Sequence, residues 1–349
     1  MATARWLAIG LAFLLSGAAL ADTVTLRPGH PDRYVVVKGD TLWGISARFL
    51  RDPWLWPEVW SVNPQIRNPH LIYPGDVIVL AYVNGKPQLH LERRARTPGG
   101  MRTVRLQPEV RREPLPPAIP TIPLDAIRPF LTRSAVVSRG ELADAPYVVD
   151  IAGEHLAGAD GNRIYVRRLG DTTHRSFAVV RRGDVFRNPR TGKVLGYAAI
   201  HLADAELIRG GDPATLRLSH VDQEVLIGDR LIPLPATRLP DDFVPQAPKG
   251  KVDGQIISVF HGVSQIGQDQ VVVLDVGREQ GIRAGDVLAV YQAGRRIRDT
   301  VEGGIGRSVQ LPATRAGLVM VFRPFRQVSY ALVMSATRAI HLDDSVRNP

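Results

Sequence analysis

The chain has 349 residues and a formal net charge of +10 at pH 7, and it contains no Cys. The lack of Cys excludes a disulfide scaffold, thiolate chemistry and metal sites built on Cys. The positive charge favours long-range attraction to polyanions such as acidic cell-wall polymers or nucleic acid. Because the basic residues are mostly Arg and are scattered, they fit an ordinary solvated surface equally well.

The first 21 residues have the pattern of a secretory signal peptide. Arg5 precedes an apolar run from Leu7 to Leu15, and Ala19-Leu20-Ala21 supplies small residues for cleavage. A membrane anchor needs about 20 uninterrupted apolar residues, and Ser16-Gly17 interrupts this run. We therefore expect an exported chain whose mature form has no transmembrane anchor and no nucleic-acid partner.

Residues 34–80 predict a small module with the order strand, helix, helix, strand. Asp40 or Thr41 can cap the first helix by accepting a hydrogen bond from its free N–H groups. Gly, Pro, Asn and Asp punctuate the loops between the elements. The predicted elements are a β-branched strand at Tyr34–Val37, a helix with Leu42, Ile45, Ser46 and Phe49 on one face, a helix from Pro57 to about Val62, and a strand at Val77–Leu80.

This module resembles the LysM family, carbohydrate-binding modules that recognise N-acetylglucosamine in peptidoglycan or chitin. The residues that carry the resemblance are Gly39-Asp40-Thr41-Leu42, Ile45, Phe49, Asn63-Pro64, Ile66, Asn68-Pro69, Ile72 and Pro74-Gly75-Asp76. The resemblance implies a shallow groove between the Gly39–Leu42 loop and the loop that leads to Ile72, where backbone N–H and C=O groups would hold the acetamido group. The carbohydrate-binding residues that it implies are Gly39, Asp40, Thr41, Leu42, Trp43, Asn68, Leu71 and Ile72.

Four of the five Trp residues lie in this module, at positions 43, 54, 56 and 60. Aromatic faces suit the CH surfaces of sugars, but Trp also fills small cores. The helical period turns Trp60 inward, which favours packing over ligand contact. For Trp43, Trp54 and Trp56 both roles stay open.

Residues 81–146 are predicted to be an extended, Pro-rich linker region. Gln88–Leu91 could add a strand to the module or lead away from it. Recurrent Pro between Arg111 and Phe130 predicts a semi-rigid spacer, because Pro stiffens the chain and cannot donate ladder hydrogen bonds. Short helices are possible at Leu124–Leu131 and Ser138–Ala145.

From Tyr147 onward, short β-branched runs alternate with Gly, Asp and Pro turns, which predicts mainly β structure. Four blocks recur in the same order, which indicates an internal duplication. The paired blocks are Gly161–Val166 with Gly267–Leu274, Arg182–Phe186 with Ala284–Leu288, Ala205–Leu207 with Ala316–Leu318, and Leu216–Leu231 with Ala331–Val346. The predicted fold class is thus α+β, a small βααβ module followed by a duplicated, mainly β region.

The duplication predicts a first β unit at residues 147–232, a Pro-rich joint at 233–249 and a second β unit at 250–349. We expect the two units to pack as one body, independent of the N-terminal module, because a few short strands seldom bury enough apolar surface alone. The Gly-Asp pairs at Asp184, Asp229 and Asp286 are typical of tight turns. A carboxylate dyad of Asp184 with Asp286 or Asp229 is the weaker interpretation.

No local signature of a cell-wall enzyme is present. There is no Cys nucleophile, no Gly-x-Ser-x-Gly turn, and the nine His residues are dispersed, unlike the ligands of zinc peptidases. His201, His220 and Glu224 could still assemble in space. The sequence calls for no metal and no cofactor.

The sequence therefore predicts a non-catalytic, exported protein, periplasmic and associated with the cell wall. Its predicted partners are N-acetylglucosamine-containing peptidoglycan, bound by the LysM-like module, and an envelope protein, bound by residues 147–349. The alternative is a wall-modifying hydrolase whose site is discontinuous in sequence.

Overall fold

The computed structural model describes residues 24–60, 72–92, 118–132, 135–170, 173–234, 243–260, 265–298 and 308–349. The predicted signal peptide and the predicted site residues Asn68 and Leu71 lie outside these ranges. Among the described residues, no helix is both long and apolar enough to cross a membrane.

The N-terminal module has the predicted order of elements. They are strand β1 (Arg33–Val35), helix α1 (Leu42–Phe49), a 3-10 turn at Pro53–Leu55, helix α2 (Trp56–Trp60) and strand β2 (Val77–Val83). Thr41 caps α1, since its hydroxyl oxygen accepts a hydrogen bond from Gly44 N at 3.0 Å. Strand β3 (Lys86–Glu92) pairs along the whole of β2, so this part of the predicted linker region extends the module as a hairpin.

Three short elements follow: helix α3 (Leu124–Thr132), strand β4 (Ala135–Val137) and helix α4 (Arg139–Asp144). The side chains of Ile122, Ile127 and Phe130 are buried in a cluster shared with the N-terminal module and the second β unit. Residues 118–132 are therefore packed between other parts of the molecule and do not form the semi-rigid spacer that their Pro content predicts. The cause is the apolar side chains interspersed among the Pro residues, which pack into the core.

The first β unit forms a ring of six strands. They are β5 (Tyr147–Ile151), β6 (Arg163–Arg167), β7 (Ser176–Arg187), β8 (Val194–Arg209), β9 (Ala214–Ser219) and β10 (Arg230–Pro233). The sheet order is β4-β8-β7-β10-β5-β6-β9, and the pairing of β8 with β9 closes the ring and leaves β4 outside on β8. Residues such as Val148, Ile164 and Leu216 fill the interior.

The second β unit is a closed barrel with the order β11-β12-β17-β16-β13-β18. Its strands are β11 (Asp253–Val259), β12 (Val271–Leu274), β13 (Val287–Gln292), β16 (Thr314–Pro324), β17 (Ser329–Ala336) and β18 (Ser345–Arg347). A separate hairpin of β14 (Arg296–Arg298) and β15 (Ser308–Gln310) lies between β13 and β16 in the chain. If β14 and β15 are set aside, the six strands of each unit follow the same order around the ring, and the duplication itself stays a prediction.

Strands β12, β16 and β17 are apolar on both faces, and both faces are buried. Along β12, Val272 and Leu274 point into the barrel, whereas Val271 and Val273 join the cluster that includes the N-terminal module. The second unit is therefore not independent of the N-terminal module. An ion pair between Arg315 and Asp52, with 3.5 Å between Nη2 and Oδ1, lies at the same boundary.

The six-stranded ring of the first β unit, named the first barrel, contacts the second barrel through the tip of the β7–β8 hairpin. Arg190 forms an ion pair with Asp253 at 3.2 Å, and Asn188 Nδ2 donates to Asp275 Oδ2 at 2.8 Å. Each barrel nevertheless has its own buried core. Ring closure pairs both edges of each sheet, and the prediction that the two units support each other stays a prediction.

The Gly-Asp pairs are turns at two of the three predicted places. Gly228 and Gly285 have φ of +92° and +93°, and Asp229 and Asp286 each accept the backbone N–H three residues earlier. Asp184 instead lies within β7, at an irregularity in its pairing with β8, so the turn prediction was wrong there. Asp229 is also held by Arg181, with two contacts of 2.8 Å.

Candidate carbohydrate-binding groove

The turn before α1 is held by the carboxylate of Asp40. Its Oδ2 accepts hydrogen bonds from Val37 N at 2.8 Å and from the hydroxyl of Tyr34 at 3.0 Å. Gly39 in this turn has φ of +96°, a left-handed conformation that a β-carbon disfavours. Burial, followed by the hydrogen bond to Asp40, raises the pKa of Tyr34. The turn therefore has a defined shape where α1 begins.

The first backbone N–H groups of α1 have no acceptor inside the helix, as in any α-helix. Gly44 N is satisfied by the cap, which leaves the N–H groups of Leu42 and Trp43 to find other acceptors. The side chains of Leu42 and Trp43 are buried beneath them. The two N–H groups thus form a pair of adjacent donors on one wall of the groove.

The opposite wall includes Ile72, whose side chain is buried and whose backbone carbonyl accepts a hydrogen bond from Ile119 N at 2.9 Å. Leu42 N donates to Pro120 O and Trp43 N donates to Thr121 O, each at 3.0 Å. Residues 119–121 therefore lie across the groove and contact both of its walls. The groove thus offers two N–H donors on one wall and one carbonyl acceptor on the other, and all three form hydrogen bonds with backbone groups of residues 119–121.

Comparison with known proteins identifies this module. The model of the LysM domain family matches residues 34–81. The chain contains a LysM domain. LysM domains bind glycans that contain N-acetylglucosamine, such as peptidoglycan and chitin.

A curated relative, the "Uncharacterized protein YqbP" of Bacillus subtilis (strain 168), is 40% identical over 55 residues. The match covers 13% of this chain and 25% of that protein. The chain thus spans about a quarter of the length of the curated relative that it matches, and the likeness concerns a domain-sized segment.

Of the residues predicted for carbohydrate binding, the structure describes six. Gly39, Asp40, Thr41, Leu42 and Trp43 form the turn and the first residues of α1, and Ile72 faces them across residues 119–121. Asn68 and Leu71 lie outside the described residues. Residues 119–122 were missed as neighbours of the LysM groove. The available signal was the pair of large apolar residues Ile119 and Ile122 within a Pro-rich segment.

The Trp residues of the LysM domain all pack in its core. Trp43, Trp54, Trp56 and Trp60 are each buried, so the packing role is the one that the structure supports. Within the described ranges, the indole N–H groups of Trp54, Trp56 and Trp60 have no hydrogen-bond partner. Among the described residues, the groove therefore offers backbone groups for recognition, and none of these four indole rings forms an exposed platform.

His201 and His220, weighed as possible catalytic residues, do come together in the first barrel. The side chain of His201 is buried, with Nδ1 3.1 Å from Asp222 Oδ2 and Nε2 3.0 Å from Asp204 Oδ1. Asp204 also contacts His220 Nδ1 at 3.3 Å. Carboxylates thus contact both ring nitrogens of His201. Among the described residues, no cluster of His, Asp and Glu could hold a metal ion.

Proposed function

We propose that the protein binds the N-acetylglucosamine units of peptidoglycan in the LysM groove. The observation that carries this proposal is the arrangement of the Leu42 and Trp43 N–H donors opposite the Ile72 carbonyl acceptor. An acetamido group is a secondary amide, and it offers one acceptor and one donor, as a peptide unit does. A groove that already satisfies backbone amides on both walls fits that group.

We further propose that the protein is exported to the periplasm and associates with the cell wall, because a signal-peptide pattern precedes a wall-binding domain. In this proposal the β barrels engage an envelope protein. The side chains that we propose for this contact are exposed apolar residues of the first barrel, since Ile200, Ile208 and Ile227 expose 40%, 47% and 63% of their surface.

A wall hydrolase is the second candidate, and the observation in its favour is the cluster of His201, Asp204, Asp222 and His220. Incubation of the full chain with labelled peptidoglycan, with and without zinc, is expected to release no soluble fragments. Release that His201→Gln abolishes would replace the binding proposal with the hydrolase.

Sedimentation of the full chain with purified peptidoglycan at moderate salt tests the binding proposal, since salt screens non-specific attraction of the basic chain. Gly39→Val is expected to weaken sedimentation, because the side chain strains the turn at φ of +96° beside the groove. Gly29→Val is the matched control. Gly29 has φ of +75°, lies in an open turn, and is near the C-terminal end of α1 rather than the groove. Equal binding of both variants would contradict the assignment of the groove.

A further inference from the structure

Residues 119–122 contact the LysM groove as an extended peptide ligand would. The carbonyls of Pro120 and Thr121 accept hydrogen bonds from successive N–H groups of α1, and Ile119 N donates to the Ile72 carbonyl. Pro120 has no N–H group, so its position in the middle of the segment leaves no donor unsatisfied. These are the same donors and the same acceptor that the proposed function assigns to an acetamido group.

The side chains of this segment also fill the groove. Ile119 and Ile122 are 4% and 0% exposed and belong to the core cluster of the LysM domain. Thr121 is 1% exposed, and its hydroxyl is buried without a hydrogen-bond partner within the part of the chain that the structure describes. A buried hydroxyl with no partner disfavours the state that buries it. The docked state is thus stabilised by two Ile side chains and weakened by one Thr.

The segment continues directly into α3, which is anchored on the second barrel. Arg323 Nη1 donates to the carbonyls of Phe130 and Leu131 at 2.6 and 3.1 Å, where α3 ends. The ring of Phe130 packs against Phe260 and Tyr330, with centroid distances of 4.7 and 6.3 Å. This anchor keeps the segment close to the groove even when the segment is undocked, which gives it a high effective concentration there.

We propose that the LysM groove is also a binding site for an extended, apolar peptide, that residues 119–122 are its intramolecular ligand, and that peptide and glycan exclude each other. The inference rests on the proposed function, because it assigns to the glycan the same three backbone groups that the segment now uses. Glycan then binds only to molecules from which the segment has left. Its apparent affinity equals the intrinsic affinity multiplied by the fraction of molecules with an open groove.

Two substitutions in the segment should move this fraction in opposite directions. Ile122→Asp places a charge in a fully buried site and should release the segment, which raises the apparent affinity for glycan by about tenfold or more. Thr121→Val keeps the shape of the side chain and removes the unpartnered hydroxyl. It should favour docking and lower the affinity by about fivefold. Arg128→Ala, on the exposed side of α3, is the matched control and should change nothing.

In the experiment, the full chain and the three variants are each titrated with a soluble N-acetylglucosamine oligomer, and calorimetry measures the affinity. Opposite shifts for Ile122→Asp and Thr121→Val, with Arg128→Ala at the wild-type value, would support the proposal. Loss of folding cannot imitate tighter binding, and the Thr121→Val result is informative even if Ile122→Asp fails to fold. Wild-type binding with an unchanged affinity for Thr121→Val, or no gain for a folded Ile122→Asp, would overturn the competition and the assignment of these three backbone groups to the glycan, but not glycan binding itself. Absence of binding by every protein, the released variant included, would overturn the proposed function as well.

Discussion

Replacement of Phe130 by Ala is expected to lower the free energy of unfolding by about 3 kcal/mol. Phe130 is 7% exposed and packs against Phe260, with 4.7 Å between the ring centroids. Truncation of a buried Phe to Ala typically costs about 3–5 kcal/mol, of which an aromatic pair supplies about 1 kcal/mol. The lower end applies because Phe130 lies on a short surface helix that can relax around the cavity.

Urea unfolding of the full chain, followed by circular dichroism, measures this loss. Arg128→Ala in the same helix is the control. The side chains of Arg128 and Asp125, which form an ion pair, are 73% and 94% exposed, and such pairs contribute about 0.5 kcal/mol or less to stability. If Phe130→Ala were no more costly than Arg128→Ala, α3 would not be docked on the second barrel, and the anchoring of residues 119–122 would be refuted.

Three further substitutions test the packing of the barrels. Gly285→Ala should cost about 2 kcal/mol or more in thermal unfolding, because Gly285 has φ of +93° and a β-carbon would collide with the Val244 carbonyl. Gly281→Ala is the control and should cost only about 1 kcal/mol, because Gly281 has φ of +80° but open space around it. Equal losses for the two variants would contradict the close approach of Gly285 to Val244. Burial raises the pKa of the Asp286 carboxyl, so its contribution to stability is present below the ordinary carboxyl pKa of about 4 and is lost as pH rises through the folded-state value. Unfolding measured from pH 3 to pH 7 should therefore depend less on pH in Asp286→Asn, and an unchanged profile would oppose this assignment. Arg190→Gln should lower the free energy of unfolding by less than about 1 kcal/mol, and this loss should vanish in high salt, because the ion pair of Arg190 with Asp253 is half exposed. A large loss of stability that persists in high salt would mean that this contact governs the association of the barrels.

The LysM domain could be predicted from the sequence because its signals are local. Thr41 is a cap followed directly by the apolar face of α1, and the Gly39-Asp40 pair forms a turn that the residues themselves dictate. The strands of the barrels were predictable for the same reason. Runs such as Val271–Leu274 are apolar on both faces, which predicts that both faces of the strand are buried.

What covers those faces depends on contacts between segments far apart in the chain, and local patterns do not encode them. Pro-rich composition predicted a spacer at residues 118–132, yet Ile122, Ile127 and Phe130 make this segment a part of the core. Ring closure of each barrel likewise depends on strands that are distant in sequence, such as β11 with β18. The same limitation hid the occupant of the LysM groove, because Pro120 and Thr121 meet α1 only in the folded molecule.

Hydrogen exchange at Ile119 is the most direct test that the glycan uses the backbone groups of the LysM groove. In the free protein the Ile119 N–H donates to the Ile72 carbonyl and should exchange slowly. At saturation with an N-acetylglucosamine oligomer, exchange at Ile119 should become much faster, while Val272 inside the second barrel stays protected. Saturable binding that leaves Ile119 as protected as before would show that the glycan is held elsewhere, and would contradict the assignment of the groove.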